Sequence, residues 1–217
     1  MITFVKILFM KYLNYQYIYP PRPKNAVNSA DLDMFDNNSM VGQCKLNGSN
    51  ATIYTNGQKI IVMNRHGQRL TNIKVSDSEI LSLYRGNGGW VVLNGEYLNK
   101  SKKNEVGETF NNKFCIFDIL VFENNYLVGK TFQERIDLLD SFYGKPENYI
   151  SPISQNVFRI KSYYSDFENL YNSLVGIDMV EGLVLKRKSA KLEVGSTENN
   201  NTKSQIKVRK ATKNYKY

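Results

Sequence analysis

The chain has 217 residues, enough for one large domain or a domain with an appendage, and 41% of them are hydrophobic, enough for a real core. Its formal net charge of +9 and pI near 9.4 point to a polyanionic partner, nucleic acid before acidic membrane. Two cysteines and one histidine exclude a disulfide framework and leave almost nothing for a zinc site or a histidine-based triad.

In chain order, "MITFVKILFM" is apolar but short and lacks a small-residue cleavage site, so residues 1–18 read as a buried opening segment, helix or strand undecided. No apolar run approaches a membrane span, and the expectation is a soluble protein of a reducing, intracellular compartment. "PPRPKNAVNSADLD" (20–33) reads as an extended connection because of its prolines. Residues 50–67 alternate on both sides of Asn56-Gly57 and predict a hairpin. Residues 76–85 predict a short helix capped by Ser76 or Asp77. Residues 89–98 and 113–123 are β-branched and aromatic and predict buried strands. "TFQERIDLLDSFY" (131–143) predicts an amphipathic helix capped by Thr131 with Glu134 three residues on, and 165–175 repeats the pattern. Residues 180–188 predict a strand, 189–204 a flexible loop, and the chain closes as a strand and basic tail. Strands outnumber helices, so the class is α+β, in one domain over 1–217.

Five features carry candidate chemistry. "GQCKLNGSN" (42–50) sets Lys45 at a strand end, three residues before Gly48. Such a stretch is either a surface turn or a lysine nucleophile beside a phosphate-binding bend. A lysine amine attacks only when unprotonated, a form favoured by nearby cations and partial burial, and a glycine admits close backbone approach. "NRHG" (64–67) offers Arg65, "NGEYL" (94–98) offers Glu96, and "IFDIL" (116–120) places Phe117 and Asp118 in a buried strand. The last feature is the pair "EGLVLK" (181–186) and "IKVRK" (206–210). Strict alternation puts Glu181, Leu183 and Leu185 on one face, and Gly182, Val184 and Lys186 on the other. Singly, each feature has a plainer reading: Glu96 as an edge charge, Asp118 as a satisfied structural acid, Phe117 as core, Lys186 as solvated. Together, carboxylates and cations on one presumed sheet are the mixture a nucleoside triphosphate needs.

In this order the set resembles the covalent nucleotidyltransferases: ATP-dependent DNA ligases, RNA ligases and mRNA capping enzymes. "KLNGSN" is similar to their motif I, "GEYL" to the following strand glutamate, "FCIFDILV" to motif III, "VEGLVLK" to motif IV and "QIKVRK" to motif V. The "EGLVLK" spelling is that of ligases rather than capping enzymes. "KLNGSN" is closer to the KxHGTN form of duplex-sealing RNA ligases than to the KxDGxR of DNA ligases. "FDILVFENNYLVGKTFQERIDLL" resembles the DNA ligase stretch after motif III. The balance favours RNA over DNA.

The resemblance implies an ATP-grasp-like nucleotidyltransferase domain with antiparallel sheets flanked by helices. It implies ATP and Mg²⁺ as cofactors and nicked or 5′-phosphorylated nucleic acid as partner. Lys45 is then the residue joined to AMP, and Glu181 binds metal. Glu96 reaches the ribose, Phe117 stacks on adenine and Gln43 reads its N6 amine. Arg65, Lys186, Lys207 and Arg209 serve phosphates, with Gly48 at the bend and Asn47 where the family usually has an acid or histidine. Two departures stand out. Arg209 replaces the second lysine of motif V, and the chain stops after that motif without a C-terminal OB domain. The expectation is a minimal ligase, one subunit of a split ligase that borrows a domain from a partner, or an inactive nucleic-acid-binding relative. A compact chain of this kind suits a virus or phage genome.

Overall fold

A computed structural model describes residues 17–195 and 200–211; most of the expected opening segment and the end of the basic tail lie outside them. Eleven strands form two sheets. The first holds β1 (Arg22–Ala26), β2 (Met40–Leu46), β10 (Val180–Arg187) and β11 (Asn201–Arg209), in the order β1-β11-β10-β2. The second holds β3 (Ser49–Thr55), β4 (Ile60–Asn64), β5 (Val91–Leu98), β6 (Lys113–Phe122), β8 (Ile150–Pro152) and β9 (Val157–Ile160), in the order β4-β3-β5-β6-β9-β8, with β7 (Asn125–Tyr126) paired to β6.

The expectation of antiparallel sheets needs correction at two pairings, β1 with β11 and β6 with β9, which are parallel. A parallel pair requires a long crossover, and between β6 and β9 the chain runs through helix α2 (Phe132–Tyr143). The other helices are α1 (Asp77–Leu81) and α3 (Phe167–Leu174). The hairpin at Asn56-Gly57, the α1 cap at Ser76 and the α2 cap at Thr131 stand as predicted, each cap completed by a glutamate at the third helical position. Two expectations fall short. The stretch after the prolines is not extended throughout: Asn28 accepts the Ala30 N–H at 3.2 Å and caps a 3-10 helix over Ser29–Phe35. The loop expected over 189–204 is partly sheet, because β11 starts at Asn201. Nearer its start, Leu192 is buried and bridges to Val128.

The core forms in layers. Cys44, Leu46, Leu183, Leu185 and Val208 of the four-stranded sheet pack with Phe167, Leu170 and Leu174 of α3 and with Cys115 and Ile160 of the larger sheet. Ile53, Leu93, Phe114, Ile116 and Ile119 pack against Ile80 of α1 and Leu139 of α2. Among the described residues no helix is long and apolar enough to cross a membrane.

Candidate active site

The register of β2, β10 and β11 aligns three rows of residues. Lys45, Gly182 and Arg209 lie opposite one another; then Gln43, Val184 and Lys207; then Val41, Lys186 and Gln205. Side chains of one face recur every second residue, so these rows floor a single surface. Residues of the other sheet face it: Asn50, Asn64, Arg65, His66, Glu96 and Phe117. The cleft between them has a volume of about 470 Å³, within the range of small-molecule sites. Every predicted site residue except Asn47 lines it. Asn47 sits at the turn after β2, where its backbone N–H donates to the Met179 carbonyl at 2.8 Å.

The Lys45 ammonium is paired with the Glu181 carboxylate, and Arg209 Nε stands 3.6 Å from the same Oε2. This arrangement corrects the strict alternation expected along β10. Leu183 and Leu185 face the core as predicted, but Glu181 faces the cleft with Val184 and Lys186. The register shifts between Val180 and Gly182, and Gly182 adopts φ 143°. A backbone angle that only glycine adopts readily therefore turns Glu181 to the opposite face.

Glu96 is opposite Asn50 in register and accepts the Gly48 N–H. Burial pushes its carboxyl up to about 7, against the pull of Lys45 and with the added push of Glu181. The tight approach at Gly48 is to protein: a Cβ there would lie 2.6 Å from the Tyr97 carbonyl oxygen and 2.9 Å from Glu96 Cγ. Gln43 Nε2 donates to Ser162 Oγ at 3.1 Å and to the Phe117 carbonyl at 3.4 Å. A carbonyl can only accept, so the amide orientation is set, and Oε1 remains a buried acceptor with no partner.

Lys186 is buried and two rows from Lys45, roughly 13 Å along the strand. Its ammonium lies 4.4 Å from the centre of the Phe117 ring and 4.6 Å from that of Phe132. Burial lowers its pKa to about 8, opposed by Asp118 and reinforced by Arg135. Lys207 is also lowered, by burial first and then by Arg209, Lys45 and Arg22. Asp118 is the satisfied structural acid: it takes Arg135 through Nε at 2.8 Å and Nη2 at 3.0 Å. The motif reading missed Arg22, His66 and Val184 as cleft residues. For Arg22 the signal was a cation set between two prolines.

The arrangement can hold a polyanion beside an amine, with a half-exposed aromatic ring and a buried acceptor nearby. Among the described residues no group of three or more His, Cys, Asp or Glu gathers. Glu181 and Glu96 suit a cation that completes its shell with water and phosphate oxygens.

Residues 38–209 match the RNA ligase family. No curated protein matches the chain. Among solved structures it is similar to mycobacterial DNA ligase D complexed with ATP and MES, at 14% identity and a TM-score of 0.63, over 90% of this chain and 62% of that one. The ligase domain of M. tuberculosis LigD gives 14%, 0.62, 88% and 60%. An archaeal ATP-dependent RNA ligase gives 18%, 0.51, 88% and 48%. The chain thus spans about three fifths of the length of the first two and about half of the third. At these identities the likeness to solved structures is one of fold, the nucleotidyltransferase domain of ATP-dependent ligases. With the family match extending over motifs I to V, the chain belongs to the RNA ligase family.

Proposed function

We propose that this chain is the adenylation domain of an ATP-dependent polynucleotide ligase, with Lys45 as the residue that takes AMP. The observation that carries the reading is the Lys45–Gly182–Arg209 row with Glu181 turned into it. It holds an amine, a carboxylate and a guanidinium at one point of a nucleotide-sized cleft. In the first step a bond forms between Lys45 Nζ and the α-phosphorus, the bond to the β-phosphate oxygen breaks, pyrophosphate leaves and the amine releases its proton. The AMP then passes to a 5′-phosphate, and a 3′-hydroxyl displaces it. Each step is an in-line displacement in which positioning and charge neutralisation supply most of the catalysis.

Adenine stacks on Phe117, and its N6 amine donates to the orphan Gln43 Oε1, which lies in the row next to Lys45. Glu96 takes the ribose hydroxyls, and Arg65, Lys207 and Arg209 take phosphates. Lys186 supports the Phe117 ring rather than the α-phosphate, since its ammonium is held against that ring. Glu181, with Glu96 near it, fits Mg²⁺, which when bound supplies positive charge to the phosphate oxygens. The Lys45–Glu181 pair must part before the amine attacks.

The polynucleotide is RNA in preference to DNA, supported by the "KLNGSN" spelling and the family match. The DNA reading has its own support in the stretch after motif III. There Arg135 of α2 clasps Asp118 as part of a DNA-ligase-like sequence. Lysyl-AMP formation needs only this chain, and a partner domain closing over the cleft would act at the sealing step. The deciding experiment is the intact mass after incubation with ATP and Mg²⁺, beside Lys45→Ala. A gain of one AMP, absent in the variant, is expected, followed by comparison of nicked RNA with nicked DNA. A folded wild type that gains nothing sinks the enzymatic reading in favour of an inactive relative.

A further inference from the structure

The five motifs begin at Lys45, yet the cleft has a wall that precedes them. Pro21, Arg22 and Pro23 line it from β1, the outermost strand of the four-stranded sheet. A residue before proline is confined to extended backbone, and proline fixes its own φ, so Pro23 stiffens Arg22 and Pro21 stiffens the approach to it. The Arg22 N–H donates to the Asn200 carbonyl at 2.9 Å, which ties the backbone to β11. The arginine is thus delivered from a stiff strand rather than from a loop.

Its neighbours define what it faces. β1 lies beside β11, the strand of Lys207 and Arg209. Lys207 is close enough to Lys45, Arg209 and Arg22 for all three charges to act on it. From β2 outward the cations therefore run Lys45, then Arg209 and Lys207, then Arg22. The aromatic and amide groups, Phe117 and Gln43, lie towards β2. The carboxylates Glu181 and Glu96 act on the groups around Lys45. Three strand spacings, roughly 14 Å, separate the β2 and β1 backbones. A lysine and an arginine reaching inward from those strands bracket a chain of phosphates, not a single phosphorus. A guanidinium fork suits phosphate oxygens and keeps its charge at every working pH.

We infer that Arg22 is a further binding residue of the nucleotide site and that it holds the terminal phosphates of ATP, the pair that leaves as pyrophosphate. This rests on the reading of Lys45 as the group that meets the α-phosphate. When the α–β bond breaks, charge gathers on the leaving oxygens, and Arg22 stands where that charge goes.

The test compares affinities of the full chain for ATP and AMP by calorimetry, without divalent metal so that no transfer occurs. Arg22→Ala is expected to weaken ATP about tenfold or more and to leave AMP within about twofold, so that the preference for ATP collapses. Arg22→Lys should recover part of it. Sealing of a nick that already carries AMP on its 5′-phosphate should be unchanged. Equal losses for ATP and AMP would mean that β1 had simply been unseated, and no loss for either would mean that Arg22 faces no nucleotide phosphate. A fall in sealing of the pre-adenylylated nick as large as the fall in ATP affinity would assign Arg22 to the polynucleotide. Each of these three overturns the inference. The Lys45 reading is judged separately by the mass experiment, so the ATP-to-AMP ratio remains decisive for Arg22 even if no AMP is transferred.

Discussion

Gly182 shows how a single residue sets the chemistry of a sheet. With φ 143° it adopts a backbone that other residues avoid, and a Cβ there would overlap the Val208 carbonyl oxygen. Gly182→Ala should straighten β10 and return Glu181 towards the core face. Lysyl-AMP formation should then fall by about a hundredfold, the scale of a misplacement of about 1 Å. Wild-type transfer rates in a folded Gly182→Ala variant would refute this. Glu96 makes a different point. Burial raises its carboxyl to about 7 from an ordinary 4.5, so the folded state keeps a proton that the unfolded chain has already lost. Stability therefore declines as pH rises from about 4.5 to about 7, where the folded carboxyl finally ionises. Glu96→Gln removes that titration. Its melting temperature should match the wild type near the bottom of this window and exceed it by about 3 °C or more at pH 8. A difference constant with pH would show that Glu96 does not carry the effect.

At the scale of elements, register does most of the positioning. Three adjacent strands align Lys45, Gly182 and Arg209, and two residues further along they align Gln43, Val184 and Lys207. The opposite wall is steadied from behind by α2. Thr131 and Glu134 cap the helix reciprocally, and buried Arg135 reaches back to buried Asp118 on β6, beside Phe117. Asp118→Asn leaves the guanidinium buried without its counter-charge. That should cost about 3–5 kcal/mol, read as a lower urea midpoint with an unchanged slope. A loss under about 1 kcal/mol would mean that the pair is no more than a surface ion pair in effect.

For the whole molecule, the net charge of +9 exceeds what the cleft requires. Lys100 and Lys103 are exposed on the loop after β5, whereas Lys102 of the same run is tied to Asp178 at 3.2 Å. If the remaining charge tracks a phosphate backbone, affinity for a nicked duplex should fall steeply with salt. Several phosphate contacts correspond to a loss of about 10³-fold or more between 50 and 200 mM. A salt-independent affinity would detach these lysines from the polynucleotide. The charge is uneven in its work: Lys45, Lys207, Arg209 and Arg22 converge at the cleft, while Lys186 is buried against aromatic rings.

The sequence by itself determined the strands, the helix caps and the order of the motifs. Those signals are local: alternation, a turn glycine, a Thr with Glu three residues on. It also placed Lys45, Glu96, Phe117, Lys207 and Arg209 correctly as cleft residues, because motif spacing reports which strand ends meet. Only the tertiary structure decided three further points. Glu181 faces the cleft because a bulge at Gly182 breaks the two-residue period, and periodicity cannot announce its own exception. Lys186 lies against rings because Phe132 comes from a helix 54 residues earlier in the chain. Arg22 joins the site because β1 pairs in parallel with a strand that starts at Asn201. Such pairings arise from the closure of sheets between distant segments, and no local pattern of residues specifies them.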